Sequence, residues 1–258
     1  MQSEYLGVVF FDLDGTLLNE QSQVSPDVGL AIRQLRRNGY LPVISTGRSP
    51  LEIVAAQAAT GIDTFISLNG CYLEHRHKAV YRGAISRQTI HGVVQTVEEL
   101  GDAVSFYTTD QIKTTRVTPL VKAAYESIHT PIPKLDPTFY EHHEILMLLL
   151  LTQGHDDIYA KRFPNLTYYR NGPYSIDTIQ KGNSKMNGIT KMIERLHLQG
   201  LPTYGFGDGP NDLTMLHYVD HPVAMGNGLD KVKAAAEFVT GSNREDGIIR
   251  GLKHFNLL

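Results

Sequence analysis

The stretch Phe10–Thr16 reads Phe-Phe-Asp-Leu-Asp-Gly-Thr, and it places two carboxylates at the end of an apolar run. Residues two positions apart on a β-strand lie on the same face. If the strand ends at Asp12 and the chain turns at Gly15, the Asp12 and Asp14 carboxylates face one small volume. One of them can attack an electrophile there while the other donates a proton. Taken alone, the stretch also fits an acidic turn after a buried strand.

Around this stretch, strand patterns alternate with helix patterns. Apolar runs predict strands over Leu6–Phe11, Leu41–Ser45 and Thr64–Leu68, and helix start signals at Ser25 and Ser49 separate them. A β-α-β-α-β order implies a parallel sheet with right-handed crossover connections. The sequence therefore predicts an α/β fold whose core is a Rossmann-like parallel sheet.

The starts of these two helices are marked by capping residues. Ser25 is the predicted N-cap of the first helix, with Pro26 at its first position, and Gly39 closes it. Ser49 and Glu52 have the spacing of a capping box. The apolar face of the first helix is predicted to consist of Leu30, Ala31, Ile32 and Leu35.

The middle of the chain, residues 84–180, mixes helix and strand patterns with longer connections. We expect a hairpin over residues 103–115 and a helix over Val117–Ile128, followed by a break at Pro131 and Pro133. The strand and helix alternation resumes at residue 184. We interpret the middle as an α+β domain inserted into the core. The predicted domains are a first core part (1–82), an inserted domain (83–181) and a second core part (182–258).

Composition limits the classes of partner. The chain has 258 residues and a formal net charge of −3, which gives no electrostatic reason to expect nucleic acid or anionic membrane as a partner. The longest apolar run, Ile145–Leu151, is far shorter than the ~20 residues of a membrane helix. Cys71 is the single cysteine, and we find no signal peptide. We therefore expect a cytoplasmic protein and make no prediction about its oligomeric state.

A second acidic cluster follows the predicted strand over residues 203–206. Gly207–Asp212 reads Gly-Asp-Gly-Pro-Asn-Asp and adds the carboxylates of Asp208 and Asp212. If this strand neighbours the first one, Asp12 and Asp208 converge, and carboxylates packed so closely repel each other unless they are protonated or neutralised. Mg²⁺ with oxygen ligands would neutralise them. The alternative is a glycine-rich turn with Asp212 near a helix N-terminus.

Complementary groups for an anion follow other strands. Thr46 and Lys185 offer a hydroxyl and an ammonium, which suit a phosphoryl group. Thr46, Gly47 and Arg48 lie at a strand-to-helix junction, where backbone N–H groups point at an anion. The alternatives are a polar loop residue for Thr46 and a solvated lysine in the first helical turn for Lys185.

Three other patterns carry no predicted chemistry. His142 and His143 are adjacent and are better explained as loop residues than as metal ligands. The glycines around Phe206 lack the spacing of a dinucleotide-binding fingerprint. The sequence also has no phosphate-binding loop of the nucleoside triphosphatases.

Taken together, the motifs resemble the haloacid dehalogenase (HAD) superfamily, and within it the Cof-type phosphatases with a large inserted cap. The motifs that carry the resemblance are Asp12–Thr16, Ser45–Arg48, Asn69-Gly70, Lys185, Gly207–Asp212, Ala224–Asn227 and Ser242–Gly247. They cover the two core parts, whereas the inserted domain resembles the family in length and position more than in residues. Lys181-Gly182 offers a competing alignment for the family's lysine, which we place at Lys185.

The resemblance implies roles for individual residues. Asp12 would be the nucleophile that forms an aspartyl-phosphate, and Asp14 would protonate the leaving oxygen and then activate water. Mg²⁺ would be held by Asp12, the backbone carbonyl of Asp14 and Asp208. The phosphoryl group would be bound by Asp12, Leu13, Thr46, Gly47, Lys185 and Asn211. Supporting roles would fall to Arg48, Asn69 and Asp212.

The resemblance implies Mg²⁺-dependent hydrolysis of a small phosphorylated metabolite, with the cap closing over the site. A phosphotransferase or sugar phosphomutase using the same aspartyl-phosphate is one alternative. A non-catalytic small-molecule binding module on the same core is another. Sugar phosphates, nucleotides, pyridoxal phosphate and flavin mononucleotide all stay open as substrates, and residues 84–180 are expected to select among them.

Overall fold

The computed structural model describes residues 4–127, 130–170 and 172–258. The chain divides into two compact units, which we call unit 1 (Met1–Tyr81 and Ser184–Leu258) and unit 2 (Arg82–Asn183). The domain boundaries expected from the sequence differ from these by one and two residues. Unit 2 is therefore a continuous segment that interrupts the sequence of unit 1.

Fourteen strands occur in the described part of the chain. They are β1 (Gly7–Phe11), β2 (Tyr40–Ser45), β3 (Thr64–Ser67), β4 (Tyr72–His75), β5 (Lys78–Arg82), β6 (Ala103–Tyr107), β7 (Ile112–Thr114), β8 (Lys134–Leu135), β9 (Met147–Leu151), β10 (Leu166–Arg170), β11 (Ser175–Gln180), β12 (Thr203–Gly207), β13 (His221–Ala224) and β14 (Phe238–Val239).

Nine α-helices occur within the same described ranges. They are α1 (Pro26–Arg37), α2 (Val54–Thr60), α3 (Arg87–Leu100), α4 (Pro119–Ser127), α5 (Asp156–Arg162), α6 (Lys185–Arg195), α7 (Leu213–Leu216), α8 (Asp230–Lys233) and α9 (Gly247–His254). Short 3₁₀ turns lie at Pro50–Glu52, Leu68–Gly70, Phe139–Glu141 and Pro210–Asp212.

The sheet of unit 1 has eight strands in the order β14-β13-β12-β1-β2-β3-β4-β5. The strands from β14 to β3 are parallel, and β4 runs antiparallel to β3. Strand β1 lies between β12 and β2, and all five of its residues are buried. A parallel sheet with buried central strands confirms the predicted α/β fold class. The carboxyl ends of β1, β2, β3 and β12 therefore meet at one edge.

Helix α1 confirms its predicted start but corrects its predicted apolar face. The Ser25 side chain accepts a hydrogen bond from the Val28 N–H, as expected for an N-cap. The buried face consists of Val28, Gly29, Ala31, Ile32 and Leu35. Including Leu30 in this face was wrong, since Leu30 is 55% exposed. Val28, Ala31, Ile32 and Leu35 follow the i, i+3, i+4, i+7 spacing of one helix face, and Leu30 lies off it.

Unit 2 contains a six-stranded sheet in the order β10-β11-β9-β6-β7-β8. Its strands pair antiparallel except for β7 and β8, which are parallel. The expected hairpin is the pair β6 and β7. The expected helix over residues 117–128 is observed as α4, and its last residue, Ile128, lies outside the described residues. Two short elements, α5 and β8, were not predicted.

Each unit has its own hydrophobic core. In unit 1 the central strands and α6 share buried side chains such as Val8, Phe10, Ile189 and Met192. In unit 2 the sheet packs against α3 and α5 through residues such as Val93 and Tyr159. Within the described ranges, none of the helices is both long and apolar enough to cross a membrane.

Candidate active site

Two neighbouring strands bring the acidic motifs together. The Asp12 N–H donates to the Phe206 carbonyl at 3.0 Å, and the rings of Phe11 and Phe206 stack with centroids 5.1 Å apart. Asp208 follows directly after β12, the strand that pairs with β1. One carboxylate oxygen each from Asp12, Asp208 and Asp212 lies within 4.8 Å of the others. Because β1 and β12 are neighbours, the Asp12 and Asp208 carboxylates converge as predicted.

Lys185 lies between two of these carboxylates. Its Nζ donates to Asp12 Oδ1 at 2.5 Å and to Asp212 Oδ1 at 2.6 Å, and its side chain is fully buried. Lys185 is the first residue of α6, a position where the helix dipole disfavours a cation. The two carboxylates account for a cation there. Lys181, the competing lysine, is exposed and donates to the Pro164 carbonyl.

The charged side chains of this cluster shift one another's pKa values. Burial alone would lower the pKa of Lys185, but the Asp12 and Asp212 carboxylates outweigh burial and raise it. Burial raises the pKa of Asp12, and the Asp212 carboxylate raises it further. Burial, followed by Asp212, also raises the pKa of Asp208, to about 6. One ammonium therefore does not offset three gathered carboxylates, and the cluster favours a further cation.

Asp212 is held by contacts on both of its carboxylate oxygens. Oδ1 accepts from Lys185, and Oδ2 accepts from the backbone N–H groups of Asp208 (3.0 Å) and Gly209 (2.9 Å). The turn packs so tightly that a Cβ on Gly207 would lie 2.6 Å from the Asp212 Cβ. With both oxygens engaged, Asp212 is suited to orienting Lys185 and the Asp208 backbone.

Asp208 is held by residues to which the sequence argument gave no role. The Thr16 hydroxyl donates to Asp208 Oδ1 at 3.1 Å. The Asn227 amide donates to the Gly15 carbonyl at 2.8 Å and reaches Asp208 Oδ2 at 3.5 Å. A Cβ on Gly15 would lie 2.3 Å from Asp208 Oδ2, so the carboxylate rests directly on the Gly15 backbone.

Two asparagines, in the loops after β13 and β14, hold the loop that follows β1. The Asn243 N–H donates to Asn227 Oδ1 at 3.0 Å, and the Asn243 side chain donates to the Leu18 carbonyl at 2.8 Å. Both asparagines stand in motifs that carried the family resemblance, at Ala224–Asn227 and Ser242–Gly247. Their presence in those motifs was the signal, but their roles depend on contacts more than 200 residues apart in sequence.

Asp14 is paired with Arg48 through two hydrogen bonds. Arg48 Nε donates to Asp14 Oδ2 at 2.8 Å, and Nη2 donates to Oδ1 at 2.5 Å. A two-point pair of this kind fixes the orientation of a carboxylate. Arg48 therefore fixes the orientation of the Asp14 side chain. The metal role that the resemblance implied concerns the Asp14 backbone carbonyl and not this side chain.

Thr46 is buried, and hydrogen bonds hold the loop that contains it. Thr46 is 1% exposed, and its Oγ1 accepts from the Arg48 N–H at 3.1 Å. Its carbonyl accepts from the Asn69 N–H at 3.1 Å. Leu13 is buried and Gly47 is half-buried in the two loops. Asn211 lies beside Asp212 in the 210–212 turn. Of these two residues, Asp212 is the one that accepts a hydrogen bond from Lys185.

Similarities to known proteins agree with this arrangement. A family model described as haloacid dehalogenase-like hydrolase matches residues 9–252. YkrA of Bacillus subtilis, which is described as an inferred phosphatase, is 35% identical over 252 residues that cover 97% of this chain and 98% of YkrA.

Two solved structures are similar over almost the whole chain. A hypothetical protein from Geobacillus kaustophilus HTA426 has a TM-score of 0.92 and 33% identity, covering 98% of this chain and 99% of the other. The HAD subclass IIB sugar phosphatase BT4131 has a TM-score of 0.87 and 28% identity, covering 98% of this chain and 100% of the other.

The chain has a parallel core sheet with carboxylates and a lysine gathered at the ends of its strands, and its relatives are named phosphatases, so it is an α/β enzyme of the phosphatase class. The chain belongs to the haloacid dehalogenase-like hydrolases. The predicted superfamily, fold class and enzyme class are therefore confirmed.

Proposed function

We propose that the protein is a Mg²⁺-dependent phosphatase that hydrolyses small phosphomonoesters through an aspartyl-phosphate on Asp12. The observation that supports this most directly is the buried chain of Asp12, Lys185 and Asp212, with Asp208 within 4.8 Å. An ammonium fixed beside a nucleophilic carboxylate suits a phosphoryl group, whose oxygens need positive charge around them.

In the first step, a carboxylate oxygen of Asp12 attacks phosphorus. The new bond joins Asp12 to phosphorus, and the bond from phosphorus to the ester oxygen breaks. Asp14 donates a proton to the departing oxygen, so that an alcohol leaves rather than an alkoxide. Arg48 holds Asp14 through two hydrogen bonds, and one of these bonds opens when Asp14 carries the proton that it donates.

In the second step, water hydrolyses the aspartyl-phosphate. The Asp14 carboxylate takes a proton from water, and the water oxygen attacks phosphorus. The bond between Asp12 and phosphorus breaks, which restores the Asp12 carboxylate and releases inorganic phosphate. Lys185 and the Thr46 hydroxyl bind the phosphoryl oxygens in both steps.

Magnesium fits the residues that would hold it. Burial, followed by the Asp212 carboxylate, raises the pKa of both Asp12 and Asp208, and a nearby cation would favour their charged forms. Asp12, Asp208 and the Asp14 carbonyl are hard oxygen donors of the kind that Mg²⁺ takes. When bound, Mg²⁺ would offset the charge of the carboxylates and of the phosphoryl group.

Sugar phosphates are the first substrates to test, because the sugar phosphatase BT4131 shares the fold over the whole chain. We propose that unit 2 serves as the cap that selects the leaving group. A phosphate-release assay over a panel of sugar phosphates, nucleotides, pyridoxal phosphate and flavin mononucleotide tests the substrate class. The single cysteine fits a cytoplasmic location, which cell fractionation would test.

The nucleophile is tested by Asp12→Asn. The substitution keeps the shape of the side chain and removes its charge, so hydrolysis of p-nitrophenyl phosphate should fall by roughly 10⁴-fold or more. Asp63→Asn is the matched control, because the Asp63 carboxylate pairs with Arg36 on the surface of the same unit. Retained turnover in Asp12→Asn would refute the assignment. Release of p-nitrophenol that requires an added sugar, with the phosphoryl group recovered on that sugar and not as inorganic phosphate, would favour a phosphotransferase.

A further inference from the structure

A run of left-handed backbone follows strand β3. Leu68, Asn69 and Gly70 have φ values of 51°, 52° and 91°. The left-handed region is sterically unfavourable for leucine, tolerated by asparagine and accessible to glycine. We call this segment the left-handed turn Leu68–Gly70. Three such residues in succession, two of them not glycine, require contacts that hold them in place.

One side of the turn holds the Thr46 loop. The Leu68 N–H donates to the Arg48 carbonyl at 3.0 Å, and the Asn69 N–H donates to the Thr46 carbonyl at 3.1 Å. The Thr46 N–H donates in turn to the Ile66 carbonyl at 2.9 Å. The backbone on both sides of the Thr46 hydroxyl is therefore bonded to the end of β3 or to the turn.

The other side of the turn carries the start of helix α6. A Cβ on Gly70 would lie 2.1 Å from the Ser184 carbonyl oxygen, which only a shift of the backbone could relieve. From the opposite side, a Cβ on Gly188 would lie 3.1 Å from the Gly70 Cα. Ser184 is the N-cap of α6, and Lys185 follows it directly. The backbone of Gly70 therefore packs directly against the backbone of Ser184, next to Lys185, the first residue of α6.

We propose that the left-handed turn Leu68–Gly70 is a positioning element that sets the Thr46 hydroxyl and the Lys185 ammonium at the spacing of one phosphoryl group. Gly70 is its main positioning residue, because it allows the close approach of α6. The inference rests on the proposed function, in which Thr46 and Lys185 share the phosphoryl oxygens. The turn touches neither substrate nor metal and acts through the two groups that it holds.

The first test compares Gly70→Ala with Gly200→Ala. Both glycines have left-handed φ values, +91° and +81°, but a Cβ on Gly200 meets nothing within 4 Å. The two variants thus share the backbone strain, and only Gly70→Ala pushes against Ser184. We expect Gly70→Ala to lower kcat for p-nitrophenyl phosphate roughly 10–100-fold, the range for a catalytic group displaced by about 1 Å. The kcat of Gly200→Ala for p-nitrophenyl phosphate should equal that of the wild type.

The second measurement separates positioning from stability. Orthophosphate binding, followed by calorimetry and as an inhibition constant at a temperature where each variant is folded, should weaken in Gly70→Ala and not in Gly200→Ala. A merely structural role would lower the melting temperature and leave both kcat and orthophosphate affinity unchanged. That result would overturn the inference.

The third test covers the case in which Gly70→Ala does not fold. Asn69→Gly and Asn69→Ala both remove the amide, but only glycine adopts the left-handed conformation freely. We expect Asn69→Gly to keep kcat and orthophosphate affinity several-fold closer to the wild type than Asn69→Ala does. Equal values for the two variants would contradict the proposal. A wild type that neither hydrolyses phosphomonoesters nor binds orthophosphate would instead refute the proposed function.

Discussion

Lys185 shows how one residue organises the site. A fully buried ammonium is stable only when charged partners replace its hydration, and Asp12 and Asp212 do so at 2.5 and 2.6 Å. Removing one partner of such a buried group typically destabilises a protein by about 3–5 kcal/mol. Lys185 therefore stabilises the carboxylate cluster, and in the proposed mechanism the same ammonium also binds a phosphoryl oxygen.

Asp208 is the residue whose titration should be visible in the stability of the metal-free protein. Burial and Asp212 raise its pKa from 3.8 to about 6 in the folded state. The folded state then binds the proton more tightly than the unfolded state, so this group removes stability as the pH rises from about 4 to about 6. The loss is complete above that window.

We therefore predict that Asp208→Asn is more stable than the wild type at pH 8 in EDTA, by on the order of 1 kcal/mol after allowance for solvent screening. The advantage should disappear near pH 4, where Asp208 is protonated in both states. Urea unfolding at pH 4, 6 and 8 measures this difference. A variant that is equally destabilised at every pH would contradict it.

Helix α6 connects local sequence signals to the site. The Ser184 hydroxyl accepts from the Asn187 N–H at 3.1 Å, and the apolar face packs Ile189, Met192 and Ile193 into the core of unit 1. The N-cap and the apolar face together define where the helix starts and how it is rotated. They thereby set the position from which Lys185 enters the carboxylate cluster.

Removing the cap should separate stability from catalysis. Ser184→Ala and Ser25→Ala each remove one N-cap hydrogen bond in unit 1, and each should lower the free energy of unfolding by about 1 kcal/mol. Only Ser184→Ala frays the turn that carries Lys185, so only it should lower kcat, by several-fold. Chemical denaturation and steady-state kinetics measure the two effects. Equal kcat in both variants would argue against a role for the α6 cap.

Element prediction succeeded where capping residues and periodicity agreed. Helix α1 starts directly after its predicted N-cap, Ser25, which accepts a cap hydrogen bond. The structure adds the same bond at Ser86 before α3 and at Ser184 before α6. Helix α5 was missed because it has seven residues and its N-cap, His155, makes no side-chain cap bond. Strand β8 was missed because its two exposed residues show no pattern and depend on pairing with β7.

The whole molecule consists of two units with separate stabilising contacts. The three clustered carboxylates belong to unit 1. In unit 2, the buried Asp102 carboxylate accepts from the Tyr159 hydroxyl and contacts His155 Nδ1, both at 2.9 Å. Burial, followed by the Asp102 contact, raises the pKa of Tyr159 and keeps it a hydrogen-bond donor.

The contacts within each unit predict which change should alter hydrogen exchange in that unit. Mg²⁺ should slow amide exchange in unit 1 relative to EDTA, because a ligand stabilises the unit that binds it. Asp102→Ala leaves Tyr159 without its acceptor and should destabilise unit 2 by about 1–3 kcal/mol, raising exchange there. Exchange measured by mass spectrometry resolves both effects. Mg²⁺ protection that is absent from unit 1 would refute the metal assignment.

The sequence determined the strand and helix order of the core and the chemical types gathered at its edge, because caps, periodicity and paired acidic motifs are local signals. Long-range packing decided which of those groups touch. Lys185 and Asp12 are 173 positions apart, and Asn243 reaches Leu18 over 225. Such contacts depend on the order of strands in the sheet and on the packing of helices against loops, as at Gly70 and Ser184. No local sequence pattern encodes the strand order or this packing. The sequence alone therefore identifies the residues of the site. Their arrangement in space follows only from the folded chain.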